Sequence, residues 1–279
     1  TEIFNTLQSF LNLPMHRDGD RVTVTVTYRP SKDGFPGRIW SPLTSLWGPY
    51  RSLLLSDTVE VDMAACMHRC IHGACRAFGV DRAAVGAYLD DRPNHLQEYM
   101  DANSCNRAKA KEMYQMPLTW DQTPSGKGAS YKAFDKWAKR AQKDLMALPD
   151  LQWILPFCKD EDDNRSGSFM SHLFQFMEVK LLLSMDRLLT DRFGGTAVAA
   201  LVHDGINIRV DASERNPALL GALKAACNEV FPGLDMEWDF KPIDFTIRSK
   251  KTRKEIRMLS IPEEFVLSPE RRRAGGGGG

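Results

Sequence analysis

Two aspartates carry the chemistry that this sequence can do. Asp204 sits in the stretch 196–211, TAVAALVHDGINIRVD, which reads as an apolar strand, a His203-Asp204-Gly205 turn and a second strand with alternating Ile206, Ile208 and Val210. Enrichment in Val, Ile and Thr with period-two alternation is the strand signal, and Gly205 is expected to supply the turn. That turn lifts the Asp204 carboxylate to the exposed tip of a buried hairpin. Asp62 ends a second short strand, TVEVD, ahead of the helix-like run MAACMHRCIHGACRAFG. Carboxylate oxygens are what a hard cation such as magnesium takes as ligands. Two carboxylates at the ends of neighbouring strands can hold two magnesium ions about 3.5 to 4 Å apart, the arrangement that drives in-line nucleotidyl transfer. Between them lies Asn106-Arg-Ala-Lys-Ala-Lys111, with Arg107 and Lys111 one helical turn apart on one face. Such a pair can grip a triphosphate.

The order of these residues resembles motifs A, B and C of the family A DNA polymerases and of the related single-subunit, phage-type RNA polymerases. Asp62 matches the strand aspartate of motif A, Arg107-x-x-x-Lys111 the helix of motif B, and His203-Asp204 the hairpin of motif C. Arg107 follows Asp62 by 45 residues and Asp204 follows Arg107 by 97. Gly37-Arg38-Ile-Trp-Ser resembles the Gly-Arg stretch that precedes motif A, and 172–189 (HLFQFMEVKLLLSMDRLL) resembles the family's Gln-containing helix, with Gln175 as counterpart. The resemblance covers roughly residues 34–247. It departs from the family after Lys111, where Gln115 and Thr119 stand at positions usually held by an aromatic or Met and by a Tyr. Tyr114 and Trp120 are displaced aromatics.

The resemblance implies an α+β fold: a right-hand polymerase palm, with an antiparallel sheet and helices, a helical fingers insertion and a reduced or absent thumb. On it the chain divides into an N-terminal region leading into the palm (1–56), palm with motif A (57–80), fingers with motif B (81–165), palm with motif C (166–248), a basic C-terminal tail (249–274) and a glycine linker (275–279). It implies two Mg2+ ions, replaceable by Mn2+, held by Asp62, Asp204 and the backbone carbonyl of Met63. His203 would touch the primer terminus or orient the turn. Arg107, Lys111, Arg38 and Gln175 would face the nucleotide. Its partners would be a nucleic-acid template, a primer, nucleoside triphosphates and accessory replication proteins. Family A DNA polymerases carry a Glu five positions after the motif A Asp and another after His-Asp; here these are Met67 and Gly205. A neutral, adaptable side chain tolerates a ribose better than a fixed carboxylate. Ribonucleotides are therefore expected as substrates, as in a primase or small RNA polymerase, with a DNA polymerase using dNTPs as the alternative.

Composition bounds these readings. At 279 residues the chain can build one large or two modest domains. Lys plus Arg is 37 against 36 for Asp plus Glu, so net charge by itself leaves no nucleic-acid footprint. Basic residues do cluster at Lys127, Lys132, Lys136, Lys139, Arg140 and Lys143, and again in 249–257 (SKKTRKEIR). Either patch can run along phosphates, and each singly also reads as a solvated face. No apolar run reaches membrane-spanning length and no signal-peptide pattern opens the chain. Six scattered Cys suit a reducing compartment, which places the chain in the cytoplasm, as the product of a virus or mobile element among other sources.

Of the elements that must position the site, 1–13 carries a helical apolar stripe, 21–28 (RVTVTVTY) alternates as a strand, and Pro117 is expected to end the motif B helix. Asp81 caps a helix over 82–89, and 131–148 is an amphipathic basic helix. Pro217 opens another over 216–231, and 233–242 and 243–248 read as closing strands. Cys66, His68, Cys70, His72 and Cys75 form a dense cluster, but structural zinc usually takes two separated ligand pairs, so packing of small thiols against the sheet is the preferred reading. SGKGAS at 125–130 lacks the leading Gly of a phosphate loop, and KDEDDNR at 159–165 reads as a solvated acidic loop. Two other functions compete: a metal-dependent phosphohydrolase, whose His-Asp doublet would sit on a helix, and a catalytically silent nucleic-acid-binding module.

Overall fold

Alternation decides the sheet. In β3 (Val59–Met63) Val59, Val61 and Met63 are buried while Glu60 and Asp62 face the other side. The computed structural model of the chain describes residues 57–160 and 163–241, together with 12–18, 21–24, 26–29, 34–45, 51, 54–55, 246–248 and 255–257. Within them β3 is the inner partner of β5 (Gly205–Ile208) and β6 (Trp238–Lys241), and β4 (Val198–Val202) closes the other edge. The order β4-β5-β3-β6 is antiparallel at each pairing. Residues facing across a ladder share a face, so the register brings Asp62 opposite Gly205 on one side and Asp239 on the other, and Glu60 opposite Asn207 and Lys241.

β1 (Met15–Asp18) and β2 (Arg21–Val24) form a separate hairpin, so the strand expected over 21–28 stops four residues in. α1 (Pro42–Ser45) follows it. Leu43, Leu55 and Ala200 form a small second apolar cluster with Leu13, Val24 and Val26, which fastens this N-terminal part to β4. β7 (Thr246–Arg248) pairs with β8 (Glu255–Arg257) in its own two-stranded sheet. The expected closing strand at 243–248 therefore does not extend the main sheet. The helix expected over 1–13 lies almost wholly outside the described residues, as do most of the basic tail and the glycine linker; the acidic loop falls partly outside them.

Helices cover the buried face of the sheet. They are α2 (Cys66–Ala77), α3 (Ala83–Asp90), α4 (Arg92–Asn103), α5 (Arg107–Thr119), α6 (Ala129–Met146), the 29-residue α7 (Arg165–Phe193) and α8 (Pro217–Val230). Asn106 caps α5 by accepting from the Lys109 N–H at 2.9 Å, and Asn216 caps α8 by accepting from Leu219 at 3.1 Å. α5 continues past Pro117 to Thr119, one turn beyond the expected end. The buried amide of Gln142 donates to the Pro117 carbonyl at 2.7 Å and so satisfies that last turn from α6. α6 buries Tyr131, Phe134, Trp137 and Leu145 and turns Lys132, Lys136, Arg140 and Lys143 outward, the split that a basic amphipathic helix predicts.

α7 is the spine. It packs on α2, α5, α6 and α8 and also on β4 and β5. One apolar core therefore runs from Val61 and Ile206 in the sheet through Leu181 and Met185 to Phe134 and Trp137. The molecule is α+β, with a four-stranded antiparallel sheet and helices packed on it.

Candidate active site

The loop between β4 and β5 is only two residues, His203 and Asp204. His203 takes the positive φ of the turn, 53°, a conformation uncommon outside Gly. Gly205, to which the local sequence assigns that task, is instead the first residue of β5. A Cβ there would meet the Val61 carbonyl oxygen and a Glu60 carboxylate oxygen, each at 3.3 Å. Glycine fits that position because a side chain there would crowd β3. The turn is not an exposed tip either: His203 and Asp204 are half-buried, and the Asp204 carbonyl accepts from the Met63 N–H at 2.9 Å. That bond ties the turn to the end of β3, so the two sequence-predicted carboxylates are neighbours.

Both lie in one cleft of about 420 Å3 with Met63, Met67, Asp239, Lys241, Arg92, Lys111, Gln115, Arg38 and Glu178 on its walls. Asp62 is only 13% exposed, and its Oδ2 accepts from Lys241 Nζ. Burial raises the Asp62 carboxyl above its usual range, as does the charge of Asp204, while the bond from Lys241 opposes them. Glu60 is raised in the same way, by burial first and then by Asp62. On the far wall Lys111 is held below the usual lysine range by burial and by Arg92, Arg107 and Lys241, with Asp62 pulling the other way. The cleft thus gathers Asp62, Asp204 and Asp239 from the sheet and its turn, with Arg92 from α4 and Lys111 from α5, while Lys241 on β6 stands among the carboxylates. Among the described residues no group of three or more His, Cys, Asp or Glu is arranged to hold a metal ion.

The other sequence candidates fall around this cleft in different ways. Arg107 is exposed at the start of α5 and reaches the cleft only through its charge. Arg38 lies in the cleft wall, but its Nε and Nη2 donate to Glu178 at 2.9 and 3.0 Å, so the guanidinium is committed to α7. Gln175, one turn before Glu178, donates to Ser171 within α7 at 3.0 Å; a Cβ at Gly37 would come 3.4 Å from its Cβ. The Gly-Arg stretch and the Gln-containing helix are brought together, with Glu178 rather than Gln175 in the cleft wall. Burial pushes His203 down to about 4, helped by Arg38 and Arg51, so its ring is neutral at pH 7. The ring meets Trp40 edge to face at 5.8 Å, and its buried Nδ1 has no hydrogen-bond partner among the described residues.

Met67 faces the cleft, whereas the ring of its neighbour His68 is buried, donates from Nε2 to the Tyr114 carbonyl at 3.1 Å and lies against Tyr88 at 4.6 Å. The displaced aromatics stay out of the cleft. Tyr114 is stacked on Tyr88 at 4.5 Å inside the core, and Trp120 is half-exposed beyond α5. Cys66, Cys70 and Cys75 pack as buried thiols. His72, by contrast, turns to Arg82 at 3.2 Å.

Glu60, Asp239, Lys241, Glu178 and Arg92 were not singled out by the sequence. Period-two alternation in TVEVD and WDFK carries a signal for the first three, since it places Glu60 with Asp62 and Asp239 with Lys241 on one face. β6 is held there by Arg69 on α2, which donates to the Asp235 carbonyl at 2.6 Å and pairs with Glu237 at 2.5 Å. Glu178 and Arg92 sit among ordinary helical charges in the sequence and carry no such signal. No protein-family model matches the chain, and no curated protein matches its sequence at a significant level.

Proposed function

We propose that the chain is a template-directed nucleotidyltransferase of the polymerase palm type, and that it accepts ribonucleotides as a primase or small RNA polymerase does. The observation that carries this is the convergence of Asp62 and Asp204, 142 residues apart in sequence, at adjacent strand ends in one cleft whose opposite wall is cationic. A cleft that holds the carboxylates of Asp62 and Asp204 together with the cations Lys111 and Arg92 complements a polyphosphate that arrives with a dication.

The donor set of Asp62 and Asp204 is all oxygen, which suits a hard dication such as Mg2+ or Mn2+, and both carboxylates would hold it. When bound, magnesium lowers the pKa of a primer 3′-hydroxyl and neutralises the leaving pyrophosphate. Lys111 and Arg92 hold the phosphates at the far wall, and Arg107 adds charge from the end of α5. Met67 bounds the sugar position without a carboxylate to reject a 2′-hydroxyl. Neutral His203 holds the turn and leaves Asp204 facing the cleft. The Arg38–Glu178 pair fixes the wall beside it and does not itself bind the nucleotide.

Incorporation of labelled rNTPs and dNTPs on one DNA template, with and without primer, tests this reading. Asp62→Asn and Asp204→Asn should each abolish incorporation, because each removes a metal ligand and not a single hydrogen bond. Near-wild-type incorporation by either variant would remove the two-carboxylate site. A wild-type chain that binds template but incorporates nothing would return it to the class of binding modules, and a strong preference for dNTPs would return it to the DNA polymerases.

A further inference from the structure

Lys241 occupies a position that the proposed reaction does not explain. It is the last residue of β6, opposite Glu60 in the ladder, and its ammonium bonds Asp62 Oδ2 in a cleft that also holds Asp204 and Asp239. Of the two partners, Asp62 is 13% exposed and Lys241 47% exposed. The carboxylate is therefore the fixed, half-buried member of the pair, and the lysine is the one with room to swing towards solvent on its four-carbon stem. Close carboxylates in a low-dielectric cleft repel one another, and a cation among them offsets that cost. Asp62 has one counter-charge in direct contact among the described residues, and it is Lys241.

We propose that Lys241 is the resident counter-cation of the Asp62 carboxylate and competes with the divalent cation for it, so that Lys241 sets the metal concentration at which the site loads. The inference rests on the nucleotidyltransferase reading only in taking Asp62 as a metal ligand. The physical reason is displacement: a dication coordinating Asp62 must first lose the ammonium from Oδ2, and the free energy of that bond is subtracted from metal affinity. Lys241 is thus a positioning residue, acting through Asp62 and not on the nucleotide. It keeps the carboxylates together when no metal is present and moves aside when one arrives.

Direct binding of Mn2+ alone, followed by loss of the free-ion EPR signal, tests this without reference to turnover. Lys241→Gln should bind Mn2+ roughly tenfold more tightly than the wild-type chain, a coupling of ordinary size between two ligands of one site. Lys241→Arg, which keeps the charge, should stay near the wild-type affinity. Without metal, Lys241→Gln should melt below the wild type, and saturating Mn2+ should close that gap. If Lys241→Gln misfolds, Lys241→Met, which keeps most of the stem, serves in its place.

Unchanged or weaker Mn2+ binding by the neutral variants, with Asp62→Asn abolishing it, would overturn the competition and leave the metal site standing. Failure of every variant and of the wild type to bind Mn2+ would overturn both.

Discussion

Replacing Arg38 by Met removes one half of an ion pair whose other half has no escape to water. Glu178 is 1% exposed and accepts both guanidinium bonds, at 2.9 and 3.0 Å, while Arg38 is 25% exposed. A surface pair of this kind would be worth at most about 1 kcal/mol. Here the loss of Arg38 strands a buried carboxylate, and the expected cost is about 3 to 5 kcal/mol. The cost must depend on pH, and its sign follows from Glu178. Burial raises that carboxyl above its usual range and Arg38 pulls it back, so Arg38→Met lets it rise further. A raised carboxyl holds its proton in the folded state when the unfolded chain has lost it. The penalty is therefore absent below the unfolded value of about 4.3 and grows as pH rises through the folded value. Arg38→Met should lie closer to wild type at pH 5 than at pH 8. The double variant Arg38→Met/Glu178→Met, which replaces the pair by apolar side chains, should recover to within about 1 kcal/mol of wild type. Urea unfolding of Arg38→Met, Glu178→Met, the double variant and the wild type at both pH values measures this. A loss below about 1 kcal/mol for Arg38→Met, or a double variant as unstable as the sum of the singles, would refute the reasoning.

Two further predictions follow from the same geometry. Burial pushes His68 down to about 3 from an ordinary value of 6.5, so the unfolded chain takes up this proton first as pH falls; the wild type should lose roughly 2 kcal/mol between pH 7 and pH 5 through His68. His68→Leu should start less stable at pH 7 yet lose less on acidification, and parallel urea curves for the two chains would remove His68 from the account. Lys111→Ala should raise the KM for nucleotide about 10- to 100-fold, the worth of a hydrogen bond to a charged group, with template binding unchanged. An equal loss of template affinity in a filter-binding assay would argue that Lys111 meets the nucleic acid instead.

Much of the sheet and helix pattern was legible in the sequence, because it rests on short-range rules. The alternation in TVEVD, the apolar strands around His203-Asp204 and the opening of α8 at Pro217 each rest on a few residues, and the structure follows them. Where local rules compete, the tertiary structure chose. Pro117 lacks an N–H and should stop a helix, yet α5 runs on to Thr119, and Gln142, from α6, satisfies the Pro117 carbonyl that this last turn leaves without a helical partner. Gly205 looked like a turn residue because Gly in such a context usually is one. Pairing with the antiparallel neighbour β3 decided otherwise by making Gly205 the first residue of β5, where a Cβ would come within 3.3 Å of β3 oxygens, and the positive φ falls on His203.

The candidate site divides along the same line. Sequence spacing selected Asp62, Asp204 and Lys111, and the fold brings all three to one cleft. Partner choice was decided only by tertiary contact. Arg38 goes to Glu178 across 140 residues and Lys241 to Asp62 across 179, and neither separation leaves a periodic trace in a single chain. A charge in a sequence states only that a counter-charge or water must be found. Which one is found depends on the sheet register and on the crossing of α7, and these are fixed by burial of the apolar faces rather than by the charges themselves.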